Sequence, residues 1–164
     1  MLRRTLLSSA ALAGLGVSTT VLAAPAVGQK APAFSLPDTA GKTVALSSFR
    51  GRHVVLEWVN PGCPYVRKHY GSANMQGTQK EVTAAGVVWL AINSGHPGAQ
   101  GDYSPDQVKS WQKRTGSTAT AYFRDQDGTV GRLYGAKTTP HMYVISADGT
   151  LVYNGAIDSI RSAN

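Results

Sequence analysis

The sequence predicts a single α/β domain, a central mixed sheet flanked by helices with an N-terminal β-hairpin extension. Three stretches predict it. Residues 53–59 form a β-branched and aromatic run that breaks at Asn60-Pro61-Gly62 and hands over to Cys63 and a helical stretch. Residues 87–92, Val-Val-Trp-Leu-Ala-Ile, form an almost unbroken apolar run after a second helical stretch, so the order is strand, helix, strand. Residues 142–145 and 150–154 flank the turn Ser146-Ala147-Asp148-Gly149 as an antiparallel hairpin. At 164 residues with 42% hydrophobic content, the chain is long enough for one real core and too short for two.

Residues 1–24 read as a bacterial export signal, with cleavage expected between 23 and 26. Arg3 and Arg4 supply a positive start, residues 6–22 an apolar, small-residue middle, and Val21-Leu22-Ala23 or Ala24-Pro25-Ala26 the cleavage site. Ser8, Ser9, Gly14, Gly16 and Ser18 interrupt the apolar part, which argues against a permanent membrane span. Arg3-Arg4-Thr5-Leu6-Leu7 also resembles a twin-arginine signal. The protein is therefore expected in the periplasm or outside the cell, with no stable membrane insertion after signal removal, and residues 27–164 are the working domain. Without Arg3 and Arg4 the 16 basic residues fall to 14 against 9 acidic ones. They are scattered, with no run that would track a phosphate backbone, so no nucleic-acid partner is expected.

Taken in order, residues 30–38 are held extended by their prolines, residues 38–42 turn, and residues 43–46 alternate like a strand. Residues 47–51 are a short helical turn leading into the core strand. The helix after Cys63 starts at Pro64, which suits a first turn, and runs to Gly71. Residues 74–85 form a second helix, stopped by Gly86. Residues 93–103 hold Gly95, Pro97, Gly98 and Gly101 and read as a loop at a strand end. Ser104-Pro105-Asp106-Gln107 carries a cap residue, proline at the first helical position and glutamine three after the cap, opening a helix that Gly116 stops. Residues 119–124 make a short strand, residues 125–128 a turn and residues 129–134 a helical piece ending at Gly135.

Cys63, the one cysteine, sits at a helix start, where unpaired backbone N–H groups and the positive end of the macrodipole favour thiolate over thiol. One cysteine allows no internal disulfide, so its oxidation must involve another molecule or an oxygen atom.

The pieces Ala31-Pro32-Ala33-Phe34-Ser35-Leu36, Leu46-Ser47-Ser48-Phe49-Arg50-Gly51, Gly62-Cys63-Pro64, and Asp127-Gly128-Thr129-Val130 through Thr139-Pro140 fall in a set order. In that order they resemble the thioredoxin fold in its peroxiredoxin-like branch, the redoxins or thiol-specific antioxidant proteins. The resemblance covers residues 27–157. It implies that Pro140 is a cis-proline whose loop packs against the active cysteine, with the backbone of Thr139 beside the sulfur. Asn60 stands where a thioredoxin-type motif has its attacking cysteine and where peroxiredoxins have a threonine, so dithiol–disulfide exchange within this chain is excluded. The resemblance implies a thiol oxidoreductase and antioxidant protein that attacks a peroxide or disulfide with Cys63 and relies on an external thiol reductant, a thioredoxin-like protein or a small thiol. It also implies a closing helix beyond Asn164, where a resolving cysteine could lie. The alternatives are a non-catalytic binding module on the same fold, or a copper-handling one.

Other candidates each have two readings. Glu57 is a proton acceptor if buried, or an outward-facing strand residue. Arg67, one helical turn beyond Cys63, lends charge to the thiolate or is a solvated helix cation. His69 and His141 approach the sulfur or serve packing and surface. Trp58, Trp89 and Trp111 are core, with Trp58 able to line the pocket. A Cys63/His141 pair lacks the three or four ligands of a stable zinc or copper site, so no metal or cofactor is expected.

Overall fold

The structure, a computed structural model, describes residues 24–160 and 162–163. The export-signal reading lies, save Ala24, outside the described residues. The elements are β1 (Ser35–Pro37), β2 (Thr43–Ala45), a 3-10 turn (Leu46–Phe49), β3 (Val54–Trp58), α1 (Pro64–Gly71), α2 (Asn74–Ala84), β4 (Val88–Asn93), α3 (Pro105–Thr115), β5 (Ala121–Arg124), α4 (Thr129–Tyr134), β6 (His141–Ile145) and β7 (Leu151–Gly155).

β1 and β2 pair antiparallel as a separate hairpin, and the other five strands form one mixed sheet in the order β5-β4-β3-β6-β7. β3 runs parallel to β4 and β4 to β5, through helical crossovers, whereas β6 runs antiparallel to both β3 and β7. This is the mixed, helix-flanked sheet with an N-terminal hairpin that the sequence predicts. Single bridges from Asp38 to Phe123 and from Lys30 to Thr150 tie the N-terminal segment to the main sheet.

Both faces of β3 are covered, and side-chain alternation divides the core in two. Val54, Leu56 and Trp58 pack with Phe34, Tyr134 and Tyr143 on one face. Val55 and Val59 pack with Val66, Tyr70, Met75, Trp89 and Trp111 on the other, beneath α1, α2 and α3. Full burial of such side chains stabilises by about 1.5–3 kcal/mol each, so β3, buried at every residue, is a rigid base for the turn that follows it.

α3 opens as expected: Ser104 Oγ accepts the Gln107 N–H at 3.3 Å and Gln107 Oε1 accepts the Ser104 N–H at 2.8 Å. The first helix ends at Gly71 and the second starts at Asn74, as the sequence predicts. The Ser72 N–H closes α1 on the Lys68 and Tyr70 carbonyls, and Ala73, at φ 61°, makes the turn into α2. Gln76 Nε2 donates to the Tyr70 carbonyl at 2.7 Å and fastens the second helix to the end of the first.

Candidate active site

Where β3 ends, the Val59 N–H bonds the Ile92 carbonyl at 2.8 Å, and the chain then turns sharply. Asn60 Oδ1 accepts the Gly62 N–H at 2.8 Å and the Asn60 carbonyl accepts the Cys63 N–H at 2.9 Å. The turn delivers Cys63 as the N-cap of α1, in extended conformation, with Pro64 at the first helical position. Proline has no N–H to lose at that point, and the Arg67 N–H bonds the Cys63 carbonyl at 3.0 Å to begin the helix. Cys63 is half-buried, and its thiol donates to the Thr139 carbonyl at 3.2 Å. The Thr139-Pro140 peptide is cis. Residues separated by 76 positions thus meet at the sulfur.

Asn60 does not touch the sulfur through its hydrogen bonds; its side chain holds the turn. Besides the Gly62 bond, Asn60 Nδ2 donates to the Gln100 carbonyl at 3.0 Å, which ties the cysteine turn to the loop after β4. The fit is close: a Cβ on Gly62 would come within 2.8 Å of the Gln100 side chain, and a Cβ on Gly101, whose φ is +80°, would collide with Asn60 Oδ1. Asn93 braces the same loop, donating to the Val59 carbonyl at 2.9 Å and the Gly101 carbonyl at 3.3 Å.

Arg67 is exposed and donates from Nη2 to the Gly62 carbonyl at 3.0 Å, so its guanidinium lies against the turn. Glu57 is fully buried, which settles its two readings in favour of the interior. Its carboxylate accepts from Trp89 Nε1 at 2.7 Å, Gln79 Nε2 at 3.0 Å and Tyr70 Oη at 3.0 Å. Burial lifts its pKa to about 7, against the pull of those three donors. Burial, and then the Glu57 carboxylate, push the Tyr70 phenol upward, which keeps it a donor. Glu57 therefore joins β3 to α1, α2 and β4, and reaches the cysteine helix through Tyr70.

His69 is buried, with Nδ1 3.0 Å from Asn74 Nδ2 and Nε2 3.5 Å from Asp158. Burial lowers its pKa, and Asp158 opposes that. His141 pairs instead with Asn154 Oδ1 at 2.8 Å across β6 and β7. Trp58 lines a cavity of about 270 Å³ with Asn60, Ser94, Lys137 and Thr139, while its indole N–H donates to Ser94 Oγ at 3.0 Å. A second cavity, about 540 Å³, opens on the other side of Thr139 between Tyr65, His69, Pro140, Ile157 and Ile160. Among the described residues no group of three or more His, Cys, Asp or Glu side chains is placed to hold a metal.

The sequence reading missed Tyr70, Gln79 and Trp89 as the partners of Glu57, and Gln100 as the partner of Asn60. Gln79 left one signal, a polar residue four positions after Met75 on the buried stripe of α2. The contact with Gln100 left none.

The AhpC/TSA family model matches residues 27–154. A Coxiella burnetii protein named as a peroxiredoxin, bcp, is 30% identical over 115 residues, spanning 66% of each chain. Among solved structures, an uncharacterised conserved protein from Geobacillus kaustophilus superposes with a TM-score of 0.75 at 26% identity, covering 85% of this chain and 73% of that one. The thioredoxin domain of a thiol-disulfide oxidoreductase from Bacteroides vulgatus superposes at 0.63 with 20% identity, covering 85% and 91%, a likeness of fold. With a thioredoxin-like sheet, a cysteine at the first helix start and a family match over most of its length, the chain belongs to the AhpC/TSA family.

Proposed function

We propose that the protein is a one-cysteine peroxidase that draws its electrons from an external thiol. The observation that carries this reading is the position of Cys63: a half-buried sulfur at the start of α1, against the Thr139 carbonyl, with cavities on both sides of Thr139. In the reaction the Cys63 thiolate attacks a peroxide oxygen; the S–O bond forms, the O–O bond breaks, and the leaving oxygen takes a proton as water or alcohol. An external thiol then attacks the sulfenic acid, forming a mixed disulfide and releasing water. A second thiol attacks the external sulfur and restores Cys63.

In this reading Thr139 and Pro140 shape the approach to the sulfur, Asn60 and Arg67 hold the turn that presents it, and Glu57 acts through Tyr70 on α1 as a positioning residue. Residues 27–164 form the working domain, exported by residues 1–24 and acting in the periplasm or outside the cell. The test is sustained turnover: loss of hydrogen peroxide or an organic hydroperoxide supported by added thioredoxin or a small thiol, with Cys63→Ser as the blank. Turnover abolished in Cys63→Ser is expected. The cavity of about 540 Å³ beside Pro140 favours a second reading, capture of a partner without turnover. Equal rates with and without Cys63 would leave that reading in place of the first.

A further inference from the structure

The cavity of about 540 Å³ falls in the range of small-molecule sites, about 300–1,000 Å³. It opens at the sulfur: Thr139 lines it, and the Thr139 carbonyl receives the Cys63 thiol at 3.2 Å. One wall is α1, which presents Tyr65 and His69 four positions apart on one face. The cis-proline loop supplies Pro140. The remaining wall is the segment 156–160 after β7, with Ile157 and Ile160 as its apolar side chains. Ile157 packs against the core beneath α1. Ile160, 60% exposed, is held by no such packing.

A carboxylate holds the segment instead. Asp158 Oδ2 lies 3.3 Å from Lys68 Nζ and 3.5 Å from His69 Nε2, both on α1. Asn74 Nδ2 donates to His69 Nδ1 at 3.0 Å, so the neutral ring carries its proton on Nε2, facing Asp158. Lys68 also donates to the Ser162 carbonyl at 2.9 Å, a second fastening of the same segment. The other oxygen, Asp158 Oδ1, accepts the Ile160 N–H at 3.2 Å. One side chain thus ties the segment to the cysteine helix and bends the chain that places Ile160. The Lys68 and Asp158 side chains are 18% and 28% exposed, so solvent screens the pair less than it screens a surface pair. We propose that Asp158, clasped by Lys68 and His69, is the positioning residue of this wall, and that the clasp sets how strongly Cys63 prefers a substrate with an apolar body over a small polar one.

The clasp is independent of any redox activity, and only its part in peroxide selection rests on the one-cysteine peroxidase reading. An apolar body seated against Tyr65, Pro140 and Ile160 leaves water and holds its reactive end near the Thr139 carbonyl, beside the sulfur. Hydrogen peroxide has no such body and gains nothing from the wall. Loosening the clasp therefore costs the bulky substrate more than the small one, whereas a loss of fold slows both together.

The test needs no peroxide. Cys63 displaces iodide from iodoacetamide and from iodoacetanilide by one step, an S–C bond forming as the C–I bond breaks, and the two reagents differ in the phenyl body. Rates followed by intact mass, each divided by the rate with N-acetylcysteine, give an anilide-to-amide ratio that reads the wall. The wild type should favour the anilide, and the ratio should fall about fivefold in Asp158→Asn and in Ile160→Ser, the second a change at an exposed side chain. In single-turnover oxidation the ratio of cumene hydroperoxide to hydrogen peroxide should fall with it. A wild-type ratio equal to that of N-acetylcysteine, a ratio unchanged in Asp158→Asn, or an equal fall in both alkylation rates would overturn the proposal. A clasp-dependent alkylation ratio without peroxide oxidation would refute the peroxidase reading alone. Peroxide oxidation with an alkylation ratio untouched by Asp158→Asn would refute the clasp alone.

Discussion

Glu57 makes the protein's stability depend on pH in a direction opposite to that of most carboxylates. The group is fully buried, with its pKa raised from 4.5 to about 7. A raised pKa means that the folded protein holds the proton more tightly than the unfolded chain does. The stabilisation is complete below the unfolded value and is lost as pH rises through about 7. Each pH unit between the two values is worth about 1.4 kcal/mol, so the whole loss is about 3 kcal/mol, a large share of the 5–15 kcal/mol that typical domains have. Urea unfolding at pH 5, 6, 7 and 8 reads this directly. Between pH 5 and 8 the loss is about 2.5 kcal/mol, and with a slope of about 2 kcal/mol per molar the midpoint should fall by about 1.2 M through this group. His69, whose pKa burial lowers, contributes with the opposite sign at acid pH, so the informative quantity is wild type minus Glu57→Gln. The variant loses an acceptor shared by three donors and is destabilised at pH 5, and that gap should close by about 2.5 kcal/mol at pH 8. Trp89 donates to the same carboxylate, so its fluorescence should titrate near pH 7 in the wild type and not in the variant. A gap that stays constant from pH 5 to 8 would refute the assignment of the titration to Glu57.

The remaining predictions concern the turn and its supports. Asn60→Ala removes the bonds to the Gly62 N–H and the Gln100 carbonyl and should cost about 1–3 kcal/mol by thermal or urea unfolding, with slower oxidation of Cys63. Gly101→Ala places a methyl group on Asn60 Oδ1 at a left-handed φ, and should destabilise by more than about 1 kcal/mol and slow Cys63 in the same way. Ser104→Ala removes the cap of α3 and should cost about 1 kcal/mol with Cys63 reactivity unchanged, which separates effects on the turn from effects on the fold.

The parts of the fold that local chemistry determines were legible in the sequence. The Ser104 to Gln107 capping box, the Pro-Gly turn delivering Cys63 and the hairpin around Asp148 need only neighbouring residues, and each appears where its pattern places it. The cis peptide at Pro140 and its contact with Cys63 came through the family resemblance, since nothing local links positions so far apart. Glu57 stayed ambiguous because β3 is covered on both faces: alternation there tells which face a residue takes but not whether that face meets water. Asn60 was recognised by its position in the motif, but its work, tying the turn to Gln100, depends on a loop forty residues away. Arg67 and His141 were placed near the site by spacing, and their bonds to Gly62 and Asn154 depend on side-chain directions that spacing does not specify. The end of the first helix at Gly71 was legible, but the left-handed turn at Ala73 that follows it was not, since alanine carries no signal for that conformation.

The central claim is that Cys63 is a peroxide-reactive sulfur, and the most direct test is its oxidation rate in a single turnover without reductant. Mixing the protein with hydrogen peroxide or an organic hydroperoxide and following intact mass should show one oxygen gained on Cys63, orders of magnitude faster than on free cysteine, reversed by added thiol and absent in Cys63→Ser. Oxidation no faster than that of free cysteine with either peroxide would contradict the account.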